Sequence, residues 1–354
     1  MCKIRYALLG FGGIAENRIA REGFGCDAAR VGANPNAVLV GATDVDASRK
    51  SAAESLGIKW YDSATDIWKD SEIDAVFVVS NNRTHAALAT EAMNAGKHVL
   101  MEKPLAANAA DATKLVELAR AKKLSLGVDH MMTKNVLNQK ARDLIQSGQL
   151  GAVNDACFHI EFAYGYDPAE AATWRCSDEA ELGGPVGDVA SHCFYMAEYL
   201  FESRIKELAA VYFPKLMTIK VEDGAYIRLA LENGMNCSVR VSFCDRRGGL
   251  GGTLTGLGYE IFGEKSVLRS YGTLFQLSGY ADEPICQRLE FDTFVNQENF
   301  RIDKPDNIYQ AIIAEHAVSI VNSTPMSGEE GLHNVLLCET AHLSARQGGK
   351  IVSV

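Results

Sequence analysis

The chain of 354 residues has few of the features that mark specialised classes of protein. Positive charge is in deficit, because 35 Lys and Arg face 45 Asp and Glu and the formal net charge is -10. A nucleic-acid partner is therefore not expected, since binding to phosphates needs a clustered basic face. An electrostatic membrane anchor is not expected either, and no apolar run approaches the roughly 20 residues that span a bilayer.

The number and spacing of the cysteines give no indication of disulfide bonds. The nine cysteines are odd in number, scattered, and never spaced C-x-x-C. This distribution is typical of reduced thiols, and neither a disulfide framework nor a structural metal site is expected. The first residues, MCKIRYALLGFGG, form a strand-like run without a cationic leader and cleavage site. We therefore expect a cytoplasmic protein.

The first 125 residues alternate between two periodicities. Short apolar runs of parallel-strand type alternate with Ala-rich stretches of helical spacing. The runs are 4–10, 37–44, 74–80, 98–102 and 124–129, and the helical stretches include 48–56, 84–95 and 109–123. This alternation predicts an α/β fold that begins with a doubly wound parallel sheet over residues 1–125.

A different pattern follows. After a helix at about 134–147, the segments 154–164, 207–213, 225–231, 236–243 and 259–263 are rich in β-branched and aromatic residues and are separated by Gly and Asn turns. These segments predict a largely antiparallel sheet, and two helices at about 306–322 and 328–346 close the chain. We therefore assign residues 126–354 to a second α/β domain.

A glycine-rich turn follows the first strand. The segment GFGGIA places Gly10, Gly12 and Ala15 at G-x-G-x-x-A spacing, with Gly13 and Ile14 between them. Glycines here allow a tight turn and let backbone N–H groups approach a pyrophosphate at a helix N-terminus. After an N-terminal strand, the turn predicts a dinucleotide site.

The second strand ends on Asp44. A carboxylate at this position accepts hydrogen bonds from ribose hydroxyls and repels a 2′-phosphate, which favours NAD over NADP. Asp44 lies further from the glycines than the usual spacing of about 20 residues, because residues 23–36 lengthen the connection. Two alternatives stay open: Asp44 caps the next helix, or Arg49 reaches a 2′-phosphate and NADP is bound.

The segment HVLMEKPLA, residues 98–106, ends a strand on Glu102, Lys103 and Pro104. Ligands of a doubly wound sheet bind at the carboxyl ends of the strands, where these residues lie. Ser80, Asn81 and Asn82 follow the preceding strand at the same edge. We expect Lys103 to face the nicotinamide end of a bound dinucleotide.

A second constellation is GGPVGDVASH, residues 183–192. Asp188 and His192 stand at i and i+4 and share a face if the segment is helical. Histidine takes the proton of an alcohol as hydride leaves the same carbon, and Lys103 supplies positive charge where an alkoxide develops. Asp188 either orients the imidazole or binds a substrate hydroxyl. A capping Asp with a packed His is the structural alternative.

With these residues assembled, the chain resembles the Gfo/Idh/MocA oxidoreductases, a family that includes glucose–fructose oxidoreductase and inositol dehydrogenase. The resemblance covers nearly the whole sequence. It is carried by GFGGIA, the strand that ends on Asp44, the run VVSNNRTHAALATEAMNAGKHVLMEKPLA, the pair Trp174-Arg175, and GGPVGDVASH.

The resemblance implies a Rossmann dinucleotide-binding domain over residues 1–125 and NAD(P)-dependent hydride transfer at a carbon of a sugar, cyclitol or similar polyol. It also implies a second domain whose large open sheet forms homodimer or homotetramer contacts. By position, Lys103 matches the lysine of the family's EKP motif, and Asp188 and His192 match the acid and the proton-transferring histidine. Trp174 and Arg175 match a pair that approaches the cofactor in some members, and His85 matches a histidine that opens a helix.

Substrate recognition is expected from polar residues. His130, His159, Tyr164 and Tyr166 are suited to hydroxyl groups, and no arginine cluster indicates a phosphorylated substrate. The chain departs from many relatives in having Thr133, followed by Lys134, where they carry arginine. The glycine-rich stretch 245–258 is either a substrate lid or a hairpin loop.

Two other functions compete with the dehydrogenase. One is an NAD-dependent glycoside hydrolase without net redox change, a chemistry found among relatives of the family. The other is a non-catalytic nucleotide-binding regulator. Retention of Lys103, Asp188 and His192 argues against the regulator, because a sensor needs none of them.

Overall fold

A computed structural model describes residues 3–245, 257–271, 287–304 and 307–354. The chain divides into two compact units. The first consists of Met1–Met131 and Asn307–Val335, and the second of Met132–Asp306 and Leu336–Val354. The first of the two closing helices thus belongs to the N-terminal unit, and the predicted domain boundary at residue 125 stays a prediction.

The first unit contains a sheet of six parallel strands in the order β3-β2-β1-β4-β5-β6. This order confirms the predicted doubly wound Rossmann sheet. The two-residue strand β3 was not predicted. The strands are β1 Ile4–Leu9, β2 Ala37–Thr43, β3 Lys59–Trp60, β4 Ala75–Val78, β5 His98–Met101 and β6 Leu126–Val128.

The strand order reverses between β1 and β4, and ligands of such sheets bind at this switch point, outside the carboxyl ends of the strands. The turn after β1 carries the glycines, the turn after β4 carries Ser80 to Asn82, and the turn after β5 carries Lys103. The topology therefore gathers the predicted N-terminal site residues at one edge of the sheet.

The helices of this unit begin at side-chain caps in several places. Asn108 accepts a hydrogen bond from the Asp111 N–H at 2.9 Å, and Asn307 accepts one from the Gln310 N–H at 2.8 Å. The α-helices are Lys50–Ser55, Ala64–Lys69, Asn82–Asn94, Ala109–Lys122 and Ile308–Val321, with a π-helix at Ala15–Gly23 and 3₁₀ turns at Ala47–Arg49 and Met131–Lys134.

The second unit contains a nine-stranded sheet in the order β14-β13-β12-β11-β7-β10-β9-β8-β15. Every neighbouring pair is antiparallel except β7 and β10, which confirms the mainly antiparallel sheet. The strands are β7 Val153–Glu161, β8 Ile205–Tyr212, β9 Gly224–Leu231, β10 Asn236–Ser242, β11 Leu257–Gly263, β12 Val267–Tyr271, β13 Arg288–Asp292, β14 Gln297–Arg301 and β15 Val352–Ser353.

The helices of the second unit include one that carries the predicted catalytic motif. A π-helical segment, Val186–Ala190, leads directly into the α-helix Ser191–Phe201. The other helices are Val136–Gln146, Pro168–Ala171, Trp174–Ser177 and the 3₁₀ turn Glu179–Glu181, and Glu329–Arg346 begins in the first unit. None of the helices within the described ranges is long and apolar enough to cross a membrane. Most of the glycine-rich stretch 245–258 lies outside the described residues.

Candidate active site

The glycine turn after β1 is closed on one side and open on the other. Gly10 has φ +99°, and a Cβ there would lie 2.5 Å from the Val79 carbonyl oxygen, so only glycine fits. A Cβ at Gly12 or Gly13 would meet nothing within 4 Å. The backbone of Gly12 and Gly13 is thus accessible, and buried Ala15 begins the helix behind it. These residues fit the pyrophosphate of a dinucleotide.

Asp44 and Arg49 both contact the residue between the glycines. One carboxylate oxygen of Asp44 accepts the Phe11 N–H at 2.5 Å and the other accepts the Asp46 N–H at 2.8 Å. The Arg49 side chain donates to the Phe11 carbonyl oxygen at 2.8 Å and pairs with Glu16. The cap of the following 3₁₀ turn is Asp46, which accepts from the Ser48 N–H at 3.0 Å. Asp44 therefore stands against the glycine turn.

Two backbone N–H groups fix the turn that contains Lys103, called the Lys103 turn below. The Glu102 N–H donates to the Val78 carbonyl oxygen at 2.9 Å, and the Lys103 N–H donates to the Glu102 carboxylate at 3.1 Å. The Lys103–Pro104 peptide bond is cis. The backbone of this turn is therefore anchored to β4 independently of the Lys103 side chain.

His85 joins two of the loops at this edge. Its ring is fully buried, with Nδ1 2.8 Å from the Pro104 carbonyl oxygen and Nε2 3.1 Å from the Ser80 carbonyl oxygen. Ser80 also contacts the Thr84 hydroxyl at 2.7 Å, and Asn81 and Asn82 begin the helix that carries His85. These contacts show a bracing role for His85, and its contact with the cofactor stays a prediction.

Asp188 and His192 lie on one helix, as predicted, but each has a different partner. The Asp188 carboxylate pairs with Arg175, with Nε and Oδ2 3.3 Å apart, and the Arg175 guanidinium lies 4.6 Å from the Trp174 ring centroid. His192 Nδ1 is 2.8 Å from the Tyr195 hydroxyl, and both rings are buried. The side chain placed to orient the imidazole is therefore Tyr195, while Asp188 is held by Arg175.

The Glu222 side chain accepts a hydrogen bond from the first residue of this helix. One carboxyl oxygen of Glu222 accepts the Val186 N–H at 2.8 Å, and Oε2 has no hydrogen-bond partner among the described residues. A Cβ at Gly184 would lie 2.5 Å from these oxygens, which accounts for a glycine in the motif. Burial raises the pKa of Glu222 from its ordinary 4.5 to about 7, against the opposing effect of the Val186 N–H.

This raised pKa makes a prediction for stability. Between about pH 4.5 and 7 the folded state holds a proton on Glu222 that the unfolded chain has lost, so the contribution is full below this range and declines as pH rises through it. We expect this group to lower the free energy of unfolding by about 3 kcal/mol across the range. In Glu222→Gln that decline should be absent. Denaturation of both proteins at several pH values measures the difference, and parallel stability curves would contradict the assignment.

The comparisons with known proteins agree with this geometry. Residues 4–130 match the family model described as oxidoreductase family, NAD-binding Rossmann fold, and residues 138–269 match the GFO/IDH/MocA C-terminal domain. The chain belongs to the GFO/IDH/MocA family of oxidoreductases. It is thus an enzyme of an NAD-binding oxidoreductase family, which confirms the expected class of activity and cofactor.

Named relatives of this oxidoreductase act on sugars and cyclitols. The 1,5-anhydro-D-fructose reductase of Ensifer adhaerens is 25% identical over 274 residues, covering 76% of this chain and 77% of the relative. Solved structures share the fold, among them two that cover nearly the whole chain. An aldose-aldose oxidoreductase from Caulobacter crescentus has a TM-score of 0.83 at 21% identity and covers 100% of both chains. An inositol dehydrogenase homolog from Azotobacter vinelandii, in complex with NADH and myo-inositol, has a TM-score of 0.79 at 22% identity and covers 99% of this chain and 98% of its own.

The predicted polar residues of the oxidoreductase occupy different settings. His130 is buried two residues after the end of β6, and the Tyr164 hydroxyl lies 3.4 Å from the Thr173 hydroxyl. Tyr166 is largely exposed and donates to the Cys244 carbonyl oxygen. His159 lies within β7, on the sheet face opposite buried Phe158 and Ile160. Their contact with substrate stays a prediction.

Three residues that the motifs did not single out stand beside those that they did. Tyr195 could have been found, because it lies three residues after His192 and would share a helical face with it if the segment were helical. Asp129 could have been found as well, since it directly follows a strand at the carboxyl edge of the sheet. Glu222 carries no local signal, because only the tertiary fold places it against Val186.

Proposed function

We propose that this oxidoreductase transfers a hydride between NAD and a hydroxyl-bearing carbon of a sugar, cyclitol or related polyol. The observation that carries the proposal is the buried His192, held at Nδ1 by Tyr195, on the same helix as the Arg175-paired Asp188. A histidine with one ring nitrogen fixed is suited to exchange a proton with a substrate hydroxyl through the other.

Each side chain is given one role. His192 accepts the hydroxyl proton in oxidation and returns it in reduction, and Lys103 stabilises negative charge on the substrate oxygen. Asp188 binds a neighbouring hydroxyl. Lys103 belongs to the first unit and the other two to the second, so their assignment to one reaction rests on chemistry and on the matching family motifs.

The cofactor roles follow from the glycine turn. Bound NAD supplies or accepts the hydride. Gly12, Gly13 and the helix that begins at Ala15 would hold its pyrophosphate. Asp44 would accept the ribose hydroxyls, and the residues that would line the nicotinamide side are Ser80, Asn81, Asn82, His85, Glu102, Lys103, Trp174 and Arg175.

An uncharged substrate fits the charges of the site. Arg175 is paired with Asp188, and Arg49 is paired with Glu16, so neither is presented as an unneutralised cation to a substrate phosphate. Named relatives include a 1,5-anhydro-D-fructose reductase and an inositol 2-dehydrogenase from Saccharopolyspora erythraea. Both names support a polyhydroxylated ring as the substrate class.

The test follows reduced-nicotinamide absorbance with NAD and NADP separately, against aldoses, keto sugars, inositols and glycosides. Net turnover of one or more polyols is the expected result. Cleavage of glycosides without net formation of NADH would instead establish the hydrolase without redox change. Cofactor binding with neither reaction across the panel would contradict the proposed substrate class.

Asp44 makes a separate prediction about cofactor choice. We expect Asp44→Ala to weaken NAD binding about tenfold and NADP binding much less, because the carboxylate would bind the ribose hydroxyls and repel a 2′-phosphate. Titration of both dinucleotides by calorimetry measures this. Asp44→Asn, which keeps an oxygen for the Phe11 N–H, is the control for the shape of the turn. Equal losses for the two cofactors would show that Asp44 only supports the backbone.

A homodimer or homotetramer that assembles through the nine-stranded sheet is also part of the proposal. Val211 in β8 and Tyr226 in β9 are register partners and are 52% and 55% exposed. Two large side chains, paired and exposed on one sheet face, are typical of a surface that another subunit covers.

A further inference from the structure

Asp129 is a fully buried carboxyl beside the Lys103 turn. It directly follows β6, and its N–H donates to the Met101 carbonyl oxygen at 2.7 Å. This bond continues the pairing of β5 with β6, in which Met101 pairs with Val128. Glu102 and Asp129 are therefore the next pair of residues at the edge of the sheet, with Lys103 adjoining them.

The surroundings of Asp129 disfavour a second negative charge. In the described part of the chain, neither carboxyl oxygen of Asp129 meets a donor with hydrogen-bond geometry. Burial and the nearby Glu102 carboxyl raise the pKa of Asp129 well above its ordinary value, and the charge of Lys103 opposes this only in part. Two adjacent carboxyls of this kind retain a proton between them.

The groups around the pair have defined charges. The Glu102 carboxyl accepts the Lys103 N–H at 3.1 Å. Tyr309, on the helix Ile308–Val321, is buried, and burial together with Glu102 and Asp129 raises its pKa, so its phenol stays neutral. Arg18 and Glu22 act on Tyr309 with opposite signs. Among the groups that change the pKa of Asp129, Lys103 is the cation, and its charge lowers that pKa.

We propose that Glu102 and Asp129 share one proton and that the single negative charge of the pair positions the Lys103 ammonium. This inference rests on the proposed function, in which Lys103 acts on the substrate oxygen. One negative charge balances one ammonium, so the turn is neutral as a whole and costs less to bury than an unpaired charge. Glu102 and Asp129 are positioning residues, and their effect on the reaction passes through Lys103.

The test is a pair of isosteric changes, alone and together. Glu102→Gln leaves Asp129 to carry the charge, Asp129→Asn leaves Glu102 to carry it, and the double variant has none. The double variant should lose more than about tenfold beyond the product of the two single losses, because it alone leaves Lys103 without a negative charge. Two independent carboxylates would instead give additive losses and would overturn the proposal.

Two readouts on the free, full-length protein do not depend on the substrate. Infrared difference spectra of the wild type against each single variant at neutral pH should show the carbonyl band of a protonated carboxylic acid, while the band of protonated Glu222 is common to both proteins and cancels. In the double variant, the ¹³Cε NMR signal of Lys103 in lysine-labelled protein should shift, because the ammonium loses its countercharge. The signal is assigned by its loss in Lys103→Ala.

Difference spectra without the band, or a Lys103 signal that is unchanged in the double variant, would overturn the shared proton or its role. Because neither readout needs turnover, failure of the sugar panel with both readouts as expected would count against the proposed function alone.

Discussion

Lys103→Ala is expected to lower turnover about a thousandfold and to leave the dissociation constant of NAD within about threefold. The side chain would stabilise charge that develops on the substrate oxygen only as the proton leaves, so its loss acts on the transition state more than on cofactor binding. The backbone contacts of the turn survive the change, because the Lys103 N–H and the Glu102 N–H keep their acceptors. Steady-state kinetics with the substrate found in the panel, and calorimetric titration of NAD, measure the two quantities.

Lys114→Ala is the matched control for this variant. Lys114 is 74% exposed on the helix Ala109–Lys122 and pairs only at the surface with Asp111, so its loss should leave both quantities nearly unchanged. Lys103→Arg keeps the charge and should recover part of the activity, since the guanidinium differs in shape from the ammonium. Wild-type turnover in Lys103→Ala would remove Lys103 from the mechanism.

Much of the first unit could be predicted because its strands are buried on both faces. The sequence of such a strand is a continuous apolar run, as in Ala75–Val78. In the helices between the strands, apolar residues recur at helical spacing instead. Two features could not be predicted. β3 is only two residues long, and the helix Ile308–Val321 packs with the N-terminal unit although it follows the second domain in the chain. Order along the chain does not show which unit a late helix joins.

The second sheet was less predictable at its edges. β14 has the sequence QENFR, in which Phe300 is half-buried and the other four residues are exposed. The strand therefore shows no alternation of apolar and polar residues. Its pairing with β13 comes from backbone hydrogen bonds, which any residue except proline supplies. β15, two residues at the end of the chain, is formed in the same way against β8.

In the candidate site too, short sequence motifs predict some residues, while the contacts of others depend on the tertiary fold. Gly10, Lys103 and His192 were predictable, because each lies in a motif whose residue types are needed at that spacing. Tyr195 was not predicted as a partner of His192, and the structure places its hydroxyl at Nδ1. Helical spacing brings both i+3 and i+4 neighbours near a residue, so spacing alone does not show which of them contacts the imidazole. The role of Asp188, weighed as orienting the imidazole or binding a substrate hydroxyl, stays a prediction, and Arg175, which holds it, comes from another helix.

His192→Ala should lower turnover by about a hundredfold to ten-thousandfold, the usual range for a positioned acid or base. Removal of the imidazole should also remove one limb of the pH–rate profile, because the proposed mechanism assigns the exchange of the substrate proton to His192 alone. Kinetics across a range of pH, with NAD affinity measured in parallel, provide the test. NAD affinity should change little.

Tyr195→Phe separates the chemistry of His192 from its packing. The phenyl ring keeps the T-shaped contact with the imidazole, whose centroids are 5.5 Å apart, and removes only the hydroxyl at Nδ1. Because that hydroxyl holds Nδ1 and so orients the imidazole, its loss should lower turnover about tenfold and shift the same limb of the pH profile without removing it. A His192→Ala enzyme that keeps this limb would show that the titrating group lies elsewhere. A shift in Tyr195→Phe together with its disappearance in His192→Ala would assign the proton transfer to this imidazole.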